Sequence, residues 1–65
     1  MPNSFTPALK KILRQFGCRF SRQGRGDHEI WYSPISGVYF VVDNNMTSRH
    51  TANGVLKQAG VEKKF

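Results

Sequence analysis

Apolar residues recur at helical spacing near the start of the chain. Phe5, Leu9, Ile12, Leu13 and Phe16 form one stripe, and Ala8 borders it. Thr6-Pro7 reads as a helix start, with Thr6 as N-cap and Pro7 at the first helical position. Gly17 reads as its C-terminal cap. Lys10, Lys11 and Arg14 fall on the other face, as solvated surface. The period then changes to two. From Cys18 to Gln23, Cys18, Phe20 and Arg22 alternate with Arg19, Ser21 and Gln23, which suits a first strand. His28 to Ser33 reads as a second strand, Pro34-Ile35-Ser36-Gly37 as a hairpin connection, and Val38 to Val42 as a third strand ended by Asp43-Asn44-Asn45. Helical spacing returns in Ala52, Val55, Leu56 and Ala59. Thr47 or Ser48 would cap this second helix, which runs through Gln58 and stops at Gly60.

The elements predict an α+β fold in the order α-β-β-β-α. Two helices cover one face of a three-stranded antiparallel sheet, which is the topology of double-stranded-RNA-binding domains. Met1 to Phe5 is a loose lead-in, and residues 1–65 form one domain. Trp31 is the largest apolar group available to so small a core, so it should face the helices with Glu29 and Ser33. His28, Ile30 and Tyr32 then lie on the open face. The third strand is apolar on both sides, which leaves that open face partly greasy and fit for a partner.

Size and charge narrow the function. At 65 residues the chain is near the lower limit for a self-supporting core, and its one cysteine, Cys18, cannot form an internal disulfide. Cys18 reads as a small core residue in a reduced, cytoplasmic protein. The longest apolar run, Val38 to Val42, is far too short to span a membrane, so no membrane partner is expected. Ten Lys and Arg against four acids give a net charge of +6. So strong a bias points to a polyanion, above all nucleic acid. Four scattered acids make no carboxylate metal site, and no cysteine–histidine cluster has zinc spacing, so neither metal nor small-molecule cofactor is expected.

Chemistry concentrates between Gly24 and Tyr32. Gly24 and Gly26 allow positive φ and close backbone approach, and Arg25 adds a permanent phosphate fork. His28 stands where this turn meets the strand, and histidine is the side chain whose ordinary proton affinity suits both taking and giving a proton near neutral pH. On residues alone, a turn histidine satisfying local hydrogen bonds is the slightly better account. Arg49 and His50 lie in the first turn of the second helix, where backbone donors and the positive dipole end could hold a phosphate. A plain solvated helix end explains them as well. Gly54, inside that helix, has no evident reason.

Taken together, GDHEIWY (Gly26 to Tyr32), the SP-x-SG turn and SRHTANGVLKQAG (Ser48 to Gly60) resemble HicA, the toxin of type II HicAB toxin–antitoxin systems. The resemblance covers nearly the whole chain. It implies an mRNA interferase, an endoribonuclease on a double-stranded-RNA-binding-like fold, neutralised by a HicB antitoxin. The catalytic histidine implied is His28. Asp27 stands where the family commonly has serine, and Asp43 to Thr47 is poorer in lysine than usual, which makes Arg49 the candidate to stand in. On this reading His28 is the general base, or the acid of a water-assisted variant. Asp27 could hydrogen-bond its imidazole, Gly26 shapes the turn, and Arg22 and Arg25 would stabilise phosphate charge. His50 could be a second acid–base group, whereas Glu29 should point to the opposite face. The antitoxin would cover Ile30 and Tyr32. Two other readings remain: a non-catalytic double-stranded-RNA-binding module, and a degenerate toxin kept for partner binding or operator regulation.

Overall fold

Helix, strands and helix form where the apolar spacing changes its period. The computed structural model describes residues 4–65, so all but the last two residues of the lead-in lie outside the described part. It orders them as α1 (Thr6–Gln15), β1 (Arg19–Gln23), β2 (His28–Ser33), β3 (Val38–Asp43) and α2 (Arg49–Ala59). The strands make one antiparallel sheet in the order β1-β2-β3. Both helices lie on one of its faces, as the expected α-β-β-β-α architecture requires.

Trp31 is almost wholly buried between sheet and helices, with Phe40 and Val42 from β3, Leu9 and Leu13 from α1, and Ala52, Val55, Leu56 and Ala59 from α2. Each fully buried leucine contributes about 1.5–3 kcal/mol relative to an exposed one. Cys18 joins this core as expected, and so do Met46 and Val61 from the loops flanking α2. The third strand divides its apolar residues as alternation dictates: Phe40 and Val42 point in, Tyr39 and Val41 point out. Both helices stop at a left-handed glycine. At Gly17 (φ 88°) the amides of Gly17 and Cys18 bond back to Arg14 O and Leu13 O. At Gly60 (φ 78°) those of Gly60 and Val61 reach Lys57 O and Leu56 O. These are the paired bonds of the Schellman motif.

Four local expectations are corrected. Thr6 is not the N-cap of α1: Phe5 is, without a side-chain bond, and Thr6 lies inside the helix. Its buried hydroxyl instead donates to Asp43 O (2.7 Å) and accepts from Met46 N–H (3.0 Å), tying α1 to the end of β3. Phe5 is not loose, because its amide bonds Met46 O at 2.7 Å and its ring meets Phe65 edge-on at 5.1 Å. Phe16, counted into the core stripe, is exposed. Lys10 and Arg14 do not simply face solvent: Lys10 pairs with Glu29 (3.1 Å), and the Arg14 guanidinium lies 5.4 Å from the Trp31 ring centre. For α2 the cap is Ser48, whose hydroxyl accepts from Thr51 N–H at 3.4 Å.

Candidate functional site

The turn of residues 24–27 fixes where His28 begins its strand. Gly24 N–H donates to His28 O (2.8 Å) and His28 N–H to Arg25 O (3.0 Å). The Gln23 amide adds two bonds of 3.0 Å, to Gly26 O and His28 O. The two glycines serve different needs. Only Gly26 has positive φ (60°), whereas a Cβ on Gly24 would come within 3.0 Å of His28 O. Asp27 O accepts from the backbone and side-chain amides of Asn44 (3.1 and 2.7 Å), which ties the turn to the residue after β3.

His28 opens onto the free face of the sheet, directly opposite Asp43. Its Nε2 lies 3.7 Å from Asp43 Oδ2, and the two side chains are 51% and 43% exposed. The other carboxylate oxygen, Oδ1, accepts from Asn45 N–H (2.9 Å), so the group is held with one oxygen toward the imidazole. The expected bond to Asp27 is not formed: among the described residues its carboxylate makes no hydrogen bond, and the carboxylate nearest the imidazole is that of Asp43. The reason is register, since Asp27 is still in the turn while Asp43 is the cross-strand neighbour.

Glu29 faces the helices, as alternation predicted. It accepts from Trp31 Nε1 (2.9 Å), Asn44 Nδ2 (3.1 Å) and Lys10 Nζ (3.1 Å). The Trp31 bond above all, with those from Asn44 and Lys10, holds its carboxyl below the ordinary 4.5 although burial pushes the other way.

Strict alternation placed Arg22 with Phe20 and apart from Arg19. A β-bulge between Phe20 and Arg22 changes this. Arg19 now pairs with Tyr32 and Arg22 with Ile30, so both arginines share the open face with His28. Arg22 is diagonal to His28, within about 7–8 Å on Cα spacing. Arg19 was not singled out in the sequence; its guanidinium lies 5.6 Å from the Tyr32 ring centre. Ile30 and Tyr32 are half-buried on this face, opposite the more exposed Val41 and Tyr39. Arg25 is exposed at the turn.

Arg49 and His50 are exposed at the start of α2. The far end of that helix is bound at Ser33, whose hydroxyl donates to Ala59 O, so α2 begins at the same end of the fold as His28. The structure brings them no closer: among the described residues no hydrogen bond or ion pair joins either one to the His28 turn. No group of three or more His, Cys, Asp or Glu side chains that could hold a metal occurs among the described residues. Nor is any helix there long and apolar enough to cross a membrane.

The sequence matches the family described as HicA toxin of bacterial toxin-antitoxin over residues 8–61, from the first turn of α1 to just past α2. The chain belongs to the HicA toxin family. The match takes in the glycine turn, His28, the whole sheet and α2, so a HicA toxin carries the open face described above. No curated protein and no solved structure is similar enough to the chain to count as a match.

Proposed function

We propose that this HicA toxin is a metal-independent endoribonuclease that cleaves mRNA, with His28 as its general base, and that a HicB-type antitoxin silences it. The observation that carries the reading is the half-exposed imidazole set against Asp43 at the edge of a face bearing Arg19 and Arg22. Scission of RNA needs a base for the 2′-hydroxyl proton and positive charge for the phosphorane-like transition state. His28 takes that proton as the 2′-oxygen bonds to phosphorus. The bond to the 5′-oxygen breaks, and the leaving oxygen is protonated by water. Asp43 lies 3.7 Å from the imidazole that receives the proton. Arg22 is diagonal to the base and Arg25 stands at the turn, and both guanidinium groups suit a phosphate. Gly26 and the backbone of Asp27 hold the turn.

The antitoxin would cover Ile30, Tyr32 and the outer side of β3, hiding His28 without touching its chemistry. Apolar Val41 and Tyr39, exposed beside them, support such a surface. A double-stranded-RNA-binding module is the second reading, favoured by Arg49 and His50 at the start of α2. Induced expression decides between them. Wild-type protein should arrest growth with loss of intact mRNA, a HicB-type antitoxin should restore growth, and His28→Ala should do neither harm. Arrest by His28→Ala equal to that of wild type contradicts the proposal.

A further inference from the structure

The open face carries a stacked trio that the proposed cleavage chemistry does not use. Arg19 lies over Tyr32 at 5.6 Å, and Tyr32 meets Tyr39 with ring centres 5.0 Å apart at 56°. Tyr39 ends the trio. It is 61% exposed, the most exposed large apolar side chain of the described residues, and it lies on the same sheet face as His28. Tyr32 has an arginine on one side and a tyrosine on the other, so it holds Tyr39 from behind. Tyr39 and Val41 are both exposed on this face of β3, and a contiguous apolar patch of that kind marks an interaction surface. The two guanidinium groups of this face, Arg19 and Arg22, stand on β1, across β2 from the Tyr39 ring, and the face's one acid among the described residues is Asp43 at its edge.

We propose that Tyr39, backed by Tyr32 and Arg19, is a stacking platform for a base of single-stranded RNA, which rests on the cleavage reading for its substrate. Every base has a π-face, and sheet-borne aromatics with nearby cations are the means by which single strands are held without duplex geometry. Charge favours this occupant, since the chain is at +6 and the phosphates of the strand would run past Arg19 and Arg22. The spacing also fits. Tyr39 is opposite Tyr32, four residues along β2 from His28, or about 13 Å at strand rise. A stacked strand covers that in about four steps of roughly 3.4 Å, and an extended one in fewer. The platform base therefore belongs to a neighbour of the cleaved nucleotide, and the platform sets which strand, and in which direction, reaches the base. In a duplex the π-faces are already covered, so the platform selects single strands.

The test uses a fully 2′-O-methylated single-stranded oligonucleotide, which cannot be cleaved, so binding is read apart from catalysis. Tyr39→Ala and Tyr39→Leu should each weaken binding by roughly 5- to 150-fold, the range for loss of one stacked base. Tyr39→Trp should bind within about twofold of wild type, with its added indole emission quenched by the oligonucleotide. The complementary duplex should bind more weakly than the single strand. Wild-type affinity in both Tyr39→Ala and Tyr39→Leu overturns the platform. So does a loss confined to antitoxin binding, which would make this a protein surface alone. Cleavage abolished by His28→Ala alongside either result would leave the ribonuclease reading standing, whereas a working platform in a protein that never cleaves would remove it.

Discussion

His28 and Asp43 form the centre of the candidate site, and their separation of 3.7 Å is a charge contact rather than a hydrogen bond. At that distance, and half open to water, such a pair is worth at most about 1 kcal/mol when both groups are charged. Asp43→Asn keeps the shape and the acceptor for Asn45 N–H but loses the charge. It should slow RNA cleavage by about fivefold, the factor that ~1 kcal/mol represents, while Asp27→Asn leaves the rate unchanged. Initial rates for the two variants check this; a slower Asp27→Asn reverses the assignment. The Asp43 contact was legible in the sequence, through the hairpin. With a four-residue connection of Pro34 to Gly37, Ser33 faces Val38, and counting back along both strands puts Asp43 opposite His28. Proximity along the chain pointed to Asp27 instead. That Trp31 and Glu29 face away from His28 followed from alternation together with the size of the indole, which one face of β2 had to take.

Within the elements, what could be read depended on whether apolar residues pinned the register. β2 and β3 have such residues and formed as expected, with β3 longer by Asp43. β1 has none buried, and no glycine or proline marks the bulge that carries Arg19 and Arg22 to one face. Without a packed face nothing in its sequence forbids the extra residue. The helix stops were legible because left-handed caps call for glycine, whereas the start of α1 was not, because Thr6 serves a distant carbonyl rather than its own helix. Gly54 remains unexplained by packing. A Cβ there meets nothing within 4 Å, and its φ is not in the left-handed region. Gly54→Ala should therefore stabilise the fold by about 1 kcal/mol, raising the melting temperature by roughly 4–8 °C. Calorimetry checks it, and an unchanged or lower temperature would show that the glycine is needed.

Across the molecule, one sheet face packs against the helices and the other is left open among the described residues. Glu29 is the polar tie on the packed side, joining α1 through Lys10, β2 through Trp31 and the segment after β3 through Asn44. Because its carboxyl is held below 4.5 when folded, the ionised form binds the native state more tightly than the unfolded chain. Its contribution is complete above pH 4.5 and is lost as pH falls through the lower, folded value. Glu29→Gln should cost ~1–3 kcal/mol at neutral pH, and the gap from wild type should shrink in acid below pH 4.5. Urea titrations at several pH values measure this; a gap that widens in acid would contradict the sign. The packed face keeps Glu29 paired with Lys10, while Arg19, Arg22 and Arg25 carry part of the +6 on or beside the open face.

The most direct measurement is cleavage of a mixed-sequence single-stranded RNA by the purified protein in EDTA, beside His28→Ala. General-base catalysis by His28 predicts wild-type cleavage that leaves 2′,3′-cyclic or 3′-phosphate ends, and a rate at least 10²-fold lower for the variant with its fold intact. Equal cleavage by both proteins, or tight RNA binding by the wild type with no cleavage at all, would contradict it.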